Sequence, residues 1–436
     1  MNKILLSLLL ITYSLSVSSQ DINRCYTTPL ISKEINENPQ YQHNIQKILN
    51  ENRSWLESNN SEKSTLTIPV VIHIIHRQTH ANIGIGTNIP IEQIEDGLRI
   101  LNEDYSKTNS EFPNPPRNTF LNVAGNPNLQ FCLATEDPNG YTTTGITRTS
   151  TSKTSFSYTN ESNDMKKDNT GGKSGWPPSK YLNIWICDIA SSGGTTVLGY
   201  AYLPGLQSWN AWKDGLVVDF QHFGTNGNSA GSSDGRTPTH EIGHYLGLNH
   251  TFCESQSGGC CDNDDSNVYD TPATDGVYYG SVNSNTNNNS CNDMQYGFNN
   301  DLLDMDENYM AYSRDTWMFT NDQANEMIAT LNGYRQSLKN SNVSLNCTGT
   351  VSNENIKKIF YKLYPNPSEG IFNIQSLYQI ENIQIFDLIG NNIYSNNDLN
   401  YQSTIDLTKF RKGVYILQST INNTIIKEKI IITESC

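Results

Sequence analysis

The 436-residue sequence predicts an α/β (α+β) domain followed by a small all-β sandwich, and three observations carry that prediction. A continuous apolar run, Ile68 to Ile75, reads as a buried strand and leads into an amphipathic helix, the order of an α/β layer. Further strand patterns precede a second helix carrying His240-Glu241-Ile242-Gly243-His244, with His250 just beyond Gly247. After Cys347 the chain changes to short β patterns separated by turns.

Taken in order, Met1-Asn2-Lys3, the apolar run Ile4 to Ile11 and the small polar residues up to Ser19 predict a secretory signal peptide over 1–19. That run is too short to cross a bilayer and no later one is long enough, so no transmembrane segment is expected. Residues 20–63 are polar and predict one or two loosely packed helices. His73 and His76 lie in the apolar strand 68–76, where core or edge histidines are the expectation rather than ligands. Ile91, Ile94, Leu98, Leu101 and Tyr105 recur at helical spacing over 90–106. Strands are expected at 128–134, 181–187, 198–203 and 215–220. Thr237 and Pro238 read as an N-cap and a first helical position, which starts a helix just before His240. The stretch 253–300 is long, polar and acidic at Asp262, Asp264, Asp265 and Asp270; it suits calcium and equally suits a solvated loop. Residues 348–357 read as a linker, and 358–436 as an independent β-sandwich.

A net charge of −15 argues against a nucleic-acid partner, which calls for clustered Lys and Arg. Nine cysteines in an exported chain point to disulfides with at least one thiol left over. Cys253, Cys260, Cys261 and Cys291 cluster after the histidine helix, Cys132 and Cys187 sit in strand patterns, and Cys25, Cys347 and Cys436 are isolated.

The histidine string specifies a chemistry. On a helix, His240 and His244 project from one face, and Gly247 can adopt the left-handed conformation that turns the chain and brings in His250. Three neutral imidazoles leave a fourth zinc position open, as a catalytic site requires. Glu241 follows the first histidine, where its carboxylate can face a water at that position. A single His-x-x-x-His pair would read as ordinary helix histidines; five fixed positions do not.

Residues 235–252, together with Asn267-Val268-Tyr269-Asp270-Thr271-Pro272 and Asn308-Tyr309-Met310-Ala311-Tyr312-Ser313, resemble the pappalysin family of metzincin metalloproteases. Gly145 to Arg148, Tyr181 to Trp185 and Leu198 to Ala201 extend the resemblance over about 64 to 345. It implies a catalytic domain over 64–347 that hydrolyses peptide bonds. His240, His244 and His250 would hold zinc, Glu241 would be the general base, Met310 the apolar floor and Tyr312 the oxyanion donor. Leu198, Gly199 and Tyr200 would pair with an extended substrate. A calcium site is implied at Asp264, Asp265, Tyr269 and Thr271, although Ser266 stands where the family usually has aspartate. A disulfide from Cys261 or Cys260 to Cys291 is implied, with Cys253 and Cys260 paired among the leftovers; Trp317 replaces a cysteine of close relatives.

Arg24-Cys25 resembles the family's pro-segment switch, in which the thiolate takes the open zinc position, although Tyr26 stands where glycine is common. That makes 20–63 a pro-segment and the product a latent zymogen. By the same resemblance Asp315, five residues after Met310, would line a pocket for the residue after the cut, which implies cleavage on the amino side of Arg or Lys, with Glu62-Lys63 and Asn52-Arg53 as self-cleavage sites. Lys362 to Pro367, Gly370-Ile371-Phe372, Ile385 to Gly390, Ile405-Asp406-Leu407 and Gly413-Val414-Tyr415 resemble a type A sorting domain of the type IX secretion system. This implies recognition by that machinery, passage through an outer membrane and a secreted or cell-surface product. The rival readings are a non-catalytic surface binding protein on the same scaffold, a metzincin of another specificity and, for the last segment, an adhesive or carbohydrate-binding module.

Overall fold

The computed structural model describes residues 24–59, 64–191, 195–254, 259–260, 266–347, 361–376, 380–397, 402–421 and 424–433. The expected signal peptide, Glu62-Lys63, Cys261, Asp264, Asp265 and the expected linker lie outside them. Two helices come first, α1 (Thr27–Glu37) and α2 (Gln40–Ser58). They are not loosely packed, as their polarity suggested: Leu30, Glu34, Tyr41 and Asn52 are all buried. The polar members are buried because each meets a polar partner on the following domain.

That domain is built on β1 (Leu66–Arg77), whose unbroken apolar run is covered on both sides, as parallel sheets require. The chain continues through α3 (Ile91–Tyr105), β2 (Leu129–Ala134), β3 (Ile146–Thr151), β4 (Phe156–Ser157), β5 (Leu182–Cys187), β6 (Ile189–Ala190), β7 (Gly199–Ala201) and β8 (Leu216–Asp219). α4 (Thr237–Tyr245), α5 (Asn321–Asn332), α6 (Gln336–Lys339) and β9 (Leu345–Asn346) complete it. The main sheet runs β7-β8-β5-β1-β2-β9, with β3 also paired to β1. At twelve residues β1 is long enough to pair with β2 along its first half and with β3 along its second. β3 is absent from the predicted strands because its residues are polar and half-exposed, without an apolar alternation. β7 runs antiparallel to β8 at the sheet edge, beside α4.

His73 sits within this core as expected of a core histidine. Its ring bonds Thr147 Oγ1 (2.8 Å) and Asn183 Oδ1 (3.1 Å), and burial lowers its pKa to about 4. Two disulfides join described cysteines, Cys132–Cys347 and Cys260–Cys291. Cys253 is also disulfide-bonded, but Cys260 is taken by Cys291, so the expected Cys253–Cys260 pair is incorrect. Cys25 and Cys187 are free and buried. Trp317 fills an apolar cluster with Phe120, Met305 and Met318.

The last seven strands are β10 (Tyr361–Tyr364), β11 (Ile371–Ser376), β12 (Ile380–Phe386), β13 (Asn392–Asn396), β14 (Gln402–Asp406), β15 (Gly413–Ile421) and β16 (Thr424–Ile432). They form two antiparallel sheets, β10-β11-β14 and β13-β12-β15-β16, around a separate core that includes Phe372, Ile383, Ile405 and Leu417. Alternation produces that core: in β11, Phe372, Ile374 and Ser376 face in while their neighbours face out. Among the described residues, no helix is long and apolar enough to cross a membrane.

Candidate active site

The histidine helix α4 begins at the residue expected to be its cap, one residue earlier than expected. Thr237 is its first residue with Pro238 next, and Arg236 at the N-cap makes no side-chain capping bond. It ends at Tyr245, and Gly247 (φ 103°) turns the chain so that His250 returns to the helix face. The three Nε2 atoms then form a triangle: His240 to His250 is 3.0 Å, and His244 lies 3.1 Å from each.

The opposite ring nitrogens explain the triangle's chemistry. His240 Nδ1 meets Tyr309 O at 2.6 Å and His244 Nδ1 meets Leu248 O at 2.7 Å, so each donates its one proton to a carbonyl. Their Nε2 atoms are therefore bare lone pairs. His250 Nδ1 pairs with the Glu254 carboxylate. Burial lowers the pKa of His240 and His244 well below the ordinary value, which keeps both neutral. Three lone pairs facing one another repel unless a cation lies among them, so these residues fit a zinc ion by their donor chemistry.

Cys25 completes the group: its Sγ and one nitrogen of each histidine lie within 4.8 Å of one another, all on buried residues. Among the described residues this is the cluster of metal-ligating side chains. Cys25 also donates to Glu241 Oε2 at 3.4 Å, and Thr27 Oγ1 donates to the same oxygen at 3.2 Å. Glu241 is fully buried and its Oε1 has no hydrogen-bond partner. Burial pushes the Glu241 carboxyl up to about 8 and the Cys25 thiol well above its usual range. A cation among the imidazoles opposes both shifts.

The strand edge and the turn at 308–313 frame the cleft. Leu198 N and Gly199 N both donate to Arg24 O (2.9 and 3.3 Å), and Tyr26 N donates to Gly199 O (3.1 Å). The free edge of β7 thus carries Arg24 to Tyr26 as a short parallel bridge. Tyr200 turns its side chain inward to bond Ser162 O. Met310 is fully buried against Gly243, where a Cβ would collide with its sulfur. Tyr312 is buried, its ring centroid 5.0 Å from that of His250, and its hydroxyl donates to Cys25 O at 3.2 Å.

A cavity of about 530 Å³ opens beside Glu241, lined by Arg24, His222, Asp234, Arg236, Tyr312 and Arg314 among others. Asp315 is not on that lining; its Oδ2 accepts from Val282 N at 3.0 Å. The turn after Ser313 places Arg314 and Thr316 on this lining and engages the Asp315 carboxylate with backbone. The guanidinium seated there is Arg24, whose Nη1 donates to Ser313 O at 2.6 Å and which Asp234 attracts. Of the residues expected at calcium, Thr271 is buried and Tyr269 is 52% exposed, and no acidic cluster forms around them among the described residues.

Three contributors were not read from the sequence. Thr27 and Glu254 are the first two. The third is Asp104 on α3, which accepts from Thr239 Oγ1 (2.7 Å) and Tyr309 Oη (2.6 Å) and so ties α4 to the turn that holds His240. Glu254 has a local signal, four residues past His250. Asp104 has none, because it is 135 residues from Thr239.

Comparison with known proteins agrees with this geometry. Residues 164–332 match the family described as pregnancy-associated plasma protein-A, and 362–433 match a secretion system C-terminal sorting domain. Promirolysin of Tannerella forsythia is 32% identical, with 72% of this chain and 97% of that one aligned at a TM-score of 0.60. Mature mirolysin of the same organism with a cleaved peptide is 35% identical over 64% of this chain and 97% of that one, TM-score 0.55. An extracellular metalloprotease of Arthroderma benhamiae is 27% identical over 62% of this chain and 79% of its own length. The chain belongs to the pappalysin family of zinc metalloendopeptidases and carries a type IX sorting domain, which makes it a secreted or cell-surface enzyme.

Proposed function

We propose that this endopeptidase is made as a latent precursor and cleaves on the amino side of Arg and Lys, with Glu241 as general base and Tyr312 as oxyanion donor. The observation that carries the latency reading is Cys25 Sγ gathered with the three imidazoles and bonded to Glu241. When bound, zinc would polarise the scissile carbonyl and acidify a water. Glu241 would accept a proton at Oε2, the oxygen that Cys25 and Thr27 engage in the precursor, and return it to the leaving amine. The Tyr312 hydroxyl, which already donates to a backbone carbonyl, would do the same for the carbonyl under attack. With Cys25 in place neither job is available, since both groups are engaged by the segment 24–27.

The basic preference is supported by the seat the cavity gives Arg24, where a backbone carbonyl and the charge of Asp234 meet a guanidinium. The family spacing would instead assign this role to Asp315, whose carboxylate accepts from Val282 N. Calcium on the 264–271 loop belongs to the same reading by resemblance. Cys25→Ala tests the latency: the uncut variant should cleave peptides while the uncut wild type does not, and equal silence in both contradicts it. Profiling a peptide library with the matured enzyme should show Arg and Lys after the cut. Asp234→Ala and Asp315→Ala then decide which carboxylate sets that preference, and apolar residues dominating in the wild type contradict the basic reading.

A further inference from the structure

We infer that the pro-segment is held chiefly at two buried seats away from the histidines, so that cutting the chain between α2 and β1 leaves a non-covalent complex still bound. Only the activity arm of this inference rests on the latency reading above.

The first seat belongs to α1 and the first turn of α2. Glu34 is 2% exposed and accepts from Lys213 Nζ at 2.6 Å and Asn210 Nδ2 at 2.9 Å, both on the segment 208–213 that leads into β8. Leu30 and Tyr41 enter one apolar cluster with Tyr200 and Tyr202, and the Tyr41 hydroxyl donates to Leu203 O at 2.8 Å. The second seat belongs to α2. Asn52, also 2% exposed, donates to Glu326 Oε1 at 2.6 Å and Thr330 Oγ1 at 2.9 Å on α5. One residue on, Arg53 Nε donates to Asn267 Oδ1 at 2.9 Å, and Asn267 Nδ2 returns a bond to Leu49 O at 2.9 Å. Asn267 holds a left-handed φ of 59°, so α2 supplies two partners that fix an otherwise disfavoured backbone.

A cut in the connection removes effective concentration and none of these contacts. Departure of the helices would strip the Lys213 ammonium and the buried Glu326 carboxyl of their partners and bare the tyrosine cluster to water, which is unfavourable. Asn52-Arg53 does not offer an easy second cut either. It lies inside α2 with both side chains engaged, whereas a protease needs its substrate extended. Release therefore waits on unfolding or digestion of α2 itself.

The test uses the full zinc-loaded precursor with residues 60–63 replaced by the recognition sequence of an unrelated site-specific protease. After cutting at micromolar concentration, residues up to 59 should co-elute with the remainder on gel filtration. A complex with Kd about a hundredth of the working concentration leaves about a tenth of the enzyme free, so activity should rise to no more than about a tenth of the level reached once α2 is digested. Glu34→Ala with Asn52→Ala should release the segment on cutting. Should that precursor not fold, Asn44→Ala with Arg53→Ala, at more exposed contacts, should speed its dissociation several-fold. Separate elution and full activity of the cut wild type would overturn the inference. Activity in the uncut precursor contradicts latency instead, and co-elution still decides whether the seats hold.

Discussion

Each imidazole of the centre is fixed by a partner on its far side, and those partners make the three-histidine string a site. The string itself was legible because helix geometry alone places His240 and His244 on one face and Gly247 announces the turn. Glu254 was passed over: it stands four residues after His250, but outside a helix that spacing does not say what a carboxylate touches. It should act on the metal through His250: Glu254→Ala is expected to weaken zinc binding about 10- to 100-fold with the fold intact, measured by competition with a chromogenic chelator. Unchanged affinity would make the Glu254 contact incidental. Gly243 is constrained by Met310 in the same local way, since even a methyl group would collide with the sulfur. Gly243→Ala should lower the melting temperature and loosen zinc together.

At the scale of elements, the strands and helices with an apolar period were readable, and those defined by long-range contact were not. β3 has no alternation, and the Cys132–Cys347 bridge joins residues 215 apart, beyond any pattern in the chain. That bridge ties β2 to β9, so Cys132→Ala with Cys347→Ala should cost about 2–4 kcal/mol in denaturant unfolding. The contact of α2 with α5 gives a pH signature. Burial raises the Glu326 carboxyl from 4.5 to about 7, although Asn52 and Asn267 donate to it. The native state then holds a proton that the unfolded chain has lost, so this group's contribution is complete below pH 4.5 and is lost as pH rises through about 7. Precursor stability should fall across that window by on the order of 2–3 kcal/mol from this group, and Glu326→Gln should flatten the profile. A wild-type curve rising between those limits, with Glu326→Gln unchanged, would contradict the assignment.

For the whole molecule, the division into an α/β body and a β-sandwich was visible in composition, and each has its own core. The loop 253–300 was less legible: its acidity raised calcium, while the described part is organised by Cys260–Cys291 and by Asp293 accepting from Ala273 N. Because none of the proposed catalytic residues lies beyond 350, a chain ending there should fold, bind zinc and cleave peptides after activation while failing to be exported. Loss of activity in a folded, zinc-loaded truncation would contradict that separation.

The central claim is that three neutral histidines hold the zinc while Glu241 performs the proton transfer. It is tested most directly by measuring zinc content and peptide turnover together, in matured wild type and in a Glu241→Gln chain brought to the same maturity by an external protease. The account predicts one zinc per chain in both, with turnover lower in Glu241→Gln by at least about a hundredfold. Near-normal cleavage by zinc-loaded Glu241→Gln would contradict it.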